Sequence, residues 1–519
     1  MGKYISRKSL NILATAASLA TVTGENAFAN VKLPAFFGDG MVVQRNRHVP
    51  IWGTAAAGET VTVSVAGQSV QSTADAAGKW KVELAPLPVG APLEVTVAGK
   101  DTFTLRDVLV GEVWLASGQS NMAMRVREAA NGAAESAAAN YSLVRMFTVK
   151  NNTAHQPLTD VSGKWITTTP ETVGAFSAAA YYFARELHQT LGVPIGIIHS
   201  SWGNTPAEAW TSEKTLRADD YYKPVFERWR KVEADYPQVK REYDAQMVKW
   251  EDNAAAAKAA GKPEPRRPEA PKDPAIGQQR PAALYNAMIA PLIPYSIRGV
   301  IWYQGESNAD HAYEYRRLFP DMIRNWRTDW EQELPFLFVQ LANYRARAVT
   351  PSDAKWAEVR EAQTMTLSLP HTGMAVAIDI GQANAIHPAN KQAVGQRLAL
   401  AALAKVYGQN TPYSGPEYDS MTVEGNSIRL KFKHTDGGLV AKDGMAQVFA
   451  IAGDDKNWVW ANAHIEGDTV VVSNPAVARP VAVRYAWADN PAASLYNGAG
   501  LPASPFRTDN WTGITEGAP

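Results

Sequence analysis

The 519-residue chain contains no cysteine, which excludes a disulfide framework and thiolate metal ligation. Its stability has to come from the size of its core. An excess of charge of either sign is also missing, because Lys+Arg and Asp+Glu both number 51. There is thus no basic footprint for nucleic acid and no acidic tail for a basic partner, and a neutral polymer or a small molecule is the natural partner class. After the first thirty residues no apolar run approaches the length that crosses a bilayer. None of the nine histidines forms a close His-His spacing, so the sequence implies no metal.

What is present begins with a processing signal. Lys3, Arg7 and Lys8 precede a weakly apolar stretch from Leu10 to Val22, and Ala27-Phe28-Ala29 fits an A-x-A cleavage site. The expectation is a signal peptide over 1–29, a mature start at Asn30 and a periplasmic or secreted protein with no membrane attachment after cleavage.

A chain of this length needs several cores. Residues 30–107 alternate apolar and polar positions, as in Thr60–Val65, between Gly, Pro and Asp clusters, which reads as a small antiparallel β-sandwich module. Buried-type runs such as Gly299-Val300-Ile301-Trp302 and Phe336-Leu337-Phe338-Val339 then alternate with helical stretches, the pattern of a mostly parallel sheet covered on both faces. This α/β body comprises 108–212 and 282–410. Between its halves lies an insertion, 213–281, where Val225, Trp229, Val232, Tyr236, Val239 and Tyr243 follow steps of four and three. With Pro237 inside and a Pro-rich end, it reads as a helical hairpin followed by a stiff linker. Period-two alternation returns over 411–519, a second β-rich module with a long loop at 492–509.

In open α/β sheets, sites lie at the carboxyl ends of the strands. Four strand-like runs end there in small polar residues. The first stops at Ser117-Gly118-Gln119-Ser120-Asn121, where Ser120 opens the next turn with an exposed hydroxyl and a free N–H. A serine in such a turn is most often structural, so the run gains meaning only in company. The second gives Ser201-Trp202-Gly203-Asn204, in which Gly203 serves either a turn or a bare N–H near a ligand. The third, Trp302-Tyr303-Gln304-Gly305-Glu306-Ser307-Asn308, offers an aromatic platform for a sugar or a core-facing pair. The fourth runs from Asp379 through Gln382, Asn384 and Ile386 to His387-Pro388, with a helix after it. Beside a serine on another strand, that histidine becomes a candidate general base.

Together these runs resemble the SGNH hydrolases, and specifically the sialate O-acetylesterase-like branch. The resemblance rests on Gly118-Gln119-Ser120-Asn121-Met122, Trp302 to Asn308, and Ile386-His387-Pro388 with Lys391-Gln392. It extends through Pro50-Ile51-Trp52-Gly53, Leu284-Tyr285-Asn286, Leu495-Tyr496-Asn497 and Pro505-Phe506-Arg507-Thr508. It implies a flavodoxin-like three-layer α/β fold with flanking β modules, and an acetylated carbohydrate substrate hydrolysed without a cofactor. By position, it makes Ser120 the nucleophile and His387 its base. The N–H groups of Ser120 and Gly203 become oxyanion donors, with Gln304 as the side-chain donor and Asn308 as its reserve. Trp202, Trp302, Tyr303 and Asn308 would meet the sugar. Where the family commonly has an acid three residues before the histidine, this chain has Asn384, whose amide can still accept from the imidazole; the alternatives are that Asp379 or Glu306 reaches the ring, or that the enzyme runs as a Ser–His dyad with backbone or amide support.

The resemblance names sialic acid, whose carboxylate calls for a cation such as Arg125 or Arg145. Plant cell-wall polysaccharides such as xyloglucan or xylan are the alternative substrates. A non-catalytic carbohydrate-binding protein and a lipase or thioesterase are the rival functions.

Overall fold

The computed structural model describes residues 31–444 and 448–518; the expected signal segment lies outside them. Six parallel strands form the centre: β1 (Thr102–Gly118), β2 (Tyr141–Thr148), β3 (Ile195–Ser201), β4 (Gly299–Tyr303), β5 (Phe336–Gln340) and β6 (Thr372–Val376). Their order is β6-β5-β4-β1-β3-β2, and Trp165–Thr168 closes the β2 edge antiparallel. Every residue of β3, β4, β5 and β6 is buried, as expected of largely apolar strands in a sheet covered on both sides. Successive side chains alternate between the two faces. Val300 and Trp302 join the core that holds Phe319, Met322 and Trp326 of helix Ala312–Asp329, whereas Ile301 and Tyr303 join the core of helices Ala178–Leu191 and Lys391–Lys405.

Strand β1 is 17 residues long and belongs to two neighbourhoods. Its first half pairs antiparallel with Leu93–Ala98 of the N-terminal strands, and its second half lies between β3 and β4. The expected module boundary at 107/108 therefore falls inside one continuous strand. The change of texture there marks a change of neighbours and not a linker. Asp107, at φ 57°, lies where the register against Leu93–Ala98 shifts, and the buried Arg145 holds it through Asp107 O (2.6 Å) and Oδ1 (3.0 Å).

The insertion also differs from the expected hairpin. One helix, Lys223–Ala259, runs 37 residues straight through Pro237. The Pro-rich segment makes the return: Trp250 Nε1 donates to Pro265 O (2.8 Å), and Gly277 packs on the Trp229 ring. Extended chain covers about twice the distance per residue of a helix, so a short unhelical segment suffices. Near the C-terminus, two four-stranded antiparallel sheets enclose Leu430, Phe449, Val470 and Tyr485. The stretch expected as one long loop contains the short strands Leu495–Asn497 and Phe506–Arg507.

Candidate active site

Gly118 ends β1 at φ 135°, and a Cβ there would stand 2.2 Å from the carbonyl oxygen of Tyr303 on β4. Only glycine allows both the turn and this approach. Gln119 N–H then donates to Tyr303 O (3.0 Å), and the chain enters the helical turn Ser120–Ala123, whose Met122 and Ala123 amides donate to Gln119 O (both 2.9 Å). Ser120 is thereby lifted, half-buried, above the sheet. From β3, Trp202 N–H donates to Gly118 O (3.1 Å), which brings in Gly203: a Cβ on Gly203 would lie 3.3 Å from Ser120 Cβ. Among the described residues, neither the Ser120 nor the Gly203 N–H makes a hydrogen bond. Two bare backbone donors are thus available on adjacent, packed residues at this corner, the kind of group that an oxyanion needs.

His387 reaches this corner from a loop and stands open to solvent. Its neighbours are tied down on both sides. Asn121 Nδ2 donates to Ile386 O (3.0 Å), Lys391 Nζ to Pro388 O (2.8 Å) and Ala130 N–H to Ala389 O (2.7 Å). The protein packed behind the ring and the Lys391 ammonium hold its pKa below the ordinary histidine value, against the opposing charge of Glu128. The imidazole is accordingly neutral near pH 7, the form that accepts a proton. Ser120 and His387 do not hydrogen-bond each other in this unliganded arrangement.

Several expected site residues have other engagements. Gln304 is fully buried: its Nε2 donates to Thr205 O (3.2 Å) and Asn308 Oδ1 (2.6 Å), and its Oε1 accepts from Tyr315 (3.0 Å). Both amide hydrogens are committed to the interior, so Gln304 braces the site and does not face it. Asn308, the reserve donor, is equally buried, accepting from Ala207 N–H (2.9 Å) and donating to Glu208 Oε2 (2.9 Å). Burial, with the charge of Glu314, pushes the Glu208 pKa up to about 7. Trp302 and Tyr303 are not a sugar platform, because neither has any exposed surface. On a central strand with both faces covered, consecutive side chains go into opposite cores. Trp202 alone of the three aromatics keeps partial exposure.

The acids expected to orient His387 are also placed differently. Asp379 is held bidentate by Arg397 (2.6 and 2.8 Å). Glu306 Oε1 accepts from Asn121 Nδ2 (2.6 Å) and not from the imidazole. Asn384 is exposed, and its side chain makes no hydrogen bond among the described residues. The acid whose charge bears on the imidazole is Glu128, near the end of the segment that follows the Ser120 turn. Nothing in the sequence singled it out. Asn121 and Lys391 lay inside the quoted motifs, yet only their burial and bonding reveal that they link the serine turn to the histidine loop.

The family model described as "Carbohydrate esterase, sialic acid-specific acetylesterase" matches residues 110–243 and 275–404. The sialate O-acetylesterase of Mus musculus is 34% identical over 505 residues, covering 88% of this chain and 90% of that protein. The Homo sapiens sialate O-acetylesterase is 32% identical over 528 residues, 92% of each. A crystal structure of a carbohydrate acetylesterase from Xanthomonas citri superposes with a TM-score of 0.79 at 39% identity, covering 93% of this chain and all of that one.

Proposed function

The chain belongs to the sialic acid-specific acetylesterase family of carbohydrate esterases, and from that premise we propose that it removes acetyl groups from sugar hydroxyls with Ser120 as nucleophile. It is a carboxylic-ester hydrolase, and we read its fold as the SGNH type. Ser120 Oγ attacks the acetyl carbonyl carbon while His387 takes the hydroxyl proton. The tetrahedral oxyanion is met by the N–H groups of Ser120 and Gly203. Collapse breaks the ester bond, the sugar oxygen leaves with the proton from His387, and water then releases acetate from the acyl-enzyme by the same two steps reversed in role. Glu128 supplies a negative charge near the imidazolium in place of a hydrogen-bonded acid.

One observation carries this reading. Three segments from different strand ends meet at Ser120: its own turn, Gly203 against its Cβ, and the His387 loop bonded to the adjacent Asn121. The site calls for no cofactor. For the substrate, a sialate carboxylate needs a cation. Arg145 is already held by Asp107, whereas Arg125 is about half exposed and pairs only loosely with Glu128 at 4.0 Å. The sialate reading therefore rests on Arg125, and an acetylated neutral polysaccharide such as xyloglucan or xylan needs no such residue. Acetate release from O-acetylated sialic acid and from acetylated xyloglucan, wild type beside Ser120→Ala, is the test. Release by the wild type alone supports the serine mechanism and names the substrate class; equal release by both removes Ser120 from the reaction. Export with cleavage after Ala29 is proposed from the N-terminal residues, and N-terminal sequencing of the mature protein checks it.

A further inference from the structure

Lys391 breaks two rules at once. It is completely buried, and it sits at the first position of helix Lys391–Lys405, where the helix dipole disfavours a cation. Residues that violate local rules without benefit to packing are concentrated at functional sites. Its ammonium donates to Asn121 Oδ1 (2.6 Å) and Pro388 O (2.8 Å) and lies 5.2 Å above the Tyr303 ring. Asn121, 1% exposed, passes the connection on: its Nδ2 donates to Glu306 Oε1 (2.6 Å) and to Ile386 O (3.0 Å). The amide is thus oriented with its oxygen on the cation and its nitrogen on the carboxylate, which fixes its plane.

The two carbonyls that accept from this group, Ile386 and Pro388, lie on either side of His387, and Asn121 is the residue next to Ser120. We propose that Asn121, Lys391 and Glu306 are positioning residues that set the separation of Ser120 and His387 by bonding the peptide groups flanking the histidine to the residue beside the serine. This rests on the reading of Ser120 and His387 as nucleophile and base. It assigns the alignment of the histidine, elsewhere the task of an acid on its ring, to a relay acting through its backbone. Burial, partly offset by Glu306, lowers the Lys391 pKa to about 7, and burial raises that of Glu306, as expected of charges kept in the interior for a purpose other than stability.

The experiment compares Lys391→Met, Glu306→Gln, Glu306→Leu and Asn121→Asp with wild type. It measures kcat, KM, the pH–rate profile and the rate at which a small organophosphate labels Ser120, with thermal unfolding as the check of folding. Lys391→Met is expected to lower kcat by about 100-fold, the cost of misplacing reacting groups by about 1 Å, with KM nearly unchanged. The charged groups bearing on His387 are Lys391 on its helix and Glu128 on the facing segment; Lys391 in turn faces Glu306. Removing the Lys391 cation makes the imidazole easier to protonate, so the acid limb of the profile moves to higher pH. Glu306→Gln keeps an oxygen for Asn121 and retains most activity, whereas Glu306→Leu falls with Lys391→Met. If Lys391→Met does not fold, Asn121→Asp, which keeps the acceptor for Lys391 and loses the donors, carries the same expectation for kcat. Wild-type kcat and an unmoved acid limb in a folded Lys391→Met, or equal damage from Gln and Leu at 306, overturn the relay while Ser120 is still labelled and required. Full activity of Ser120→Ala, together with no labelling of Ser120 in the wild type, is instead the failure of the underlying catalytic reading.

Discussion

Two serine–histidine pairs lie at the ends of adjacent strands, and they differ in every respect that matters for chemistry. On β3, His199 Nε2 and Ser201 Oγ are 2.7 Å apart, both buried, with His199 Nδ1 unpartnered. Ser120 and His387 come from separate segments, make no bond to each other, and meet solvent. Judged by hydrogen-bond length alone, the β3 pair would be the catalytic one. But burial pushes the His199 pKa down to about 4, which makes it a reluctant proton acceptor, and Ser201 is itself buried. The open pair has the two bare N–H groups, the acid charge of Glu128 and a loop held by its own backbone. On the proposed reading, access and surrounding dipoles mark the nucleophile, and a short contact does not.

The largest test of this contrast exchanges the two serines. Ser120→Ala is expected to lower kcat/KM for an acetyl ester by about 10⁴-fold or more, as removal of a nucleophile does. Ser201→Ala should stay within about threefold of wild type, and steady-state kinetics on both variants decides the matter. Next in size is Gly203→Ala. Its added methyl would press on Ser120 Cβ and turn one donor away, so kcat should drop by about 10²-fold with little change in melting temperature.

The histidines separate on the pH axis. The folded-state pKa of His199 lies below its ordinary value, so the unfolded chain takes up the proton first. Its neutral form is undisturbed above pH about 6.5, and stability is lost as pH falls toward 4, by about 3 kcal/mol in all. Denaturant unfolding of wild type beside His199→Gln should show that loss in the wild type and a smaller one in the variant. With His387 as the proposed base, kcat/KM should decline on an acid limb below the ordinary histidine value, and that limb should be missing from the residual rate of His387→Gln. The smallest effect concerns the substrate. Arg125→Ala should raise KM for O-acetylated sialic acid by about tenfold and leave a neutral acetylated sugar unaffected, since an exposed charge-assisted bond contributes about that much.

Much of this arrangement is legible in the sequence because it follows from strand ends. An apolar run that stops at Gly118 and a run that continues into Gly203 already mark the corner where Ser120 stands. The sugar platform expected at Trp302 and Tyr303 is the misreading of the same runs, since a central strand covered on both faces sends the two rings into opposite cores. Gln304 and Asn308 look like site groups in one dimension, and only the packing of Thr205, Glu208 and Tyr315 around them shows that their hydrogens are taken. The single helix through Pro237 escaped the pattern because the apolar spacing marks a face and not the end of a helix: Val232 and Val239 of that seam are exposed, and the proline is carried inside the helix. Lys391 escaped it for a related reason: a lysine opening a helix reads as solvated until three segments are seen to close over it.

The long strand β1 has a consequence for how such a chain changes over generations. Its first half is completed by partners near residue 95 and its second half by partners near 198 and 301, and the serine follows directly on its end. A recombination event between residues 102 and 118 would have to deliver matching neighbours for both halves in one step. The N-terminal strands and Ser120 are therefore tied to one another through a single strand, whereas the long insertion after residue 212 leaves and rejoins the sheet without such a double constraint.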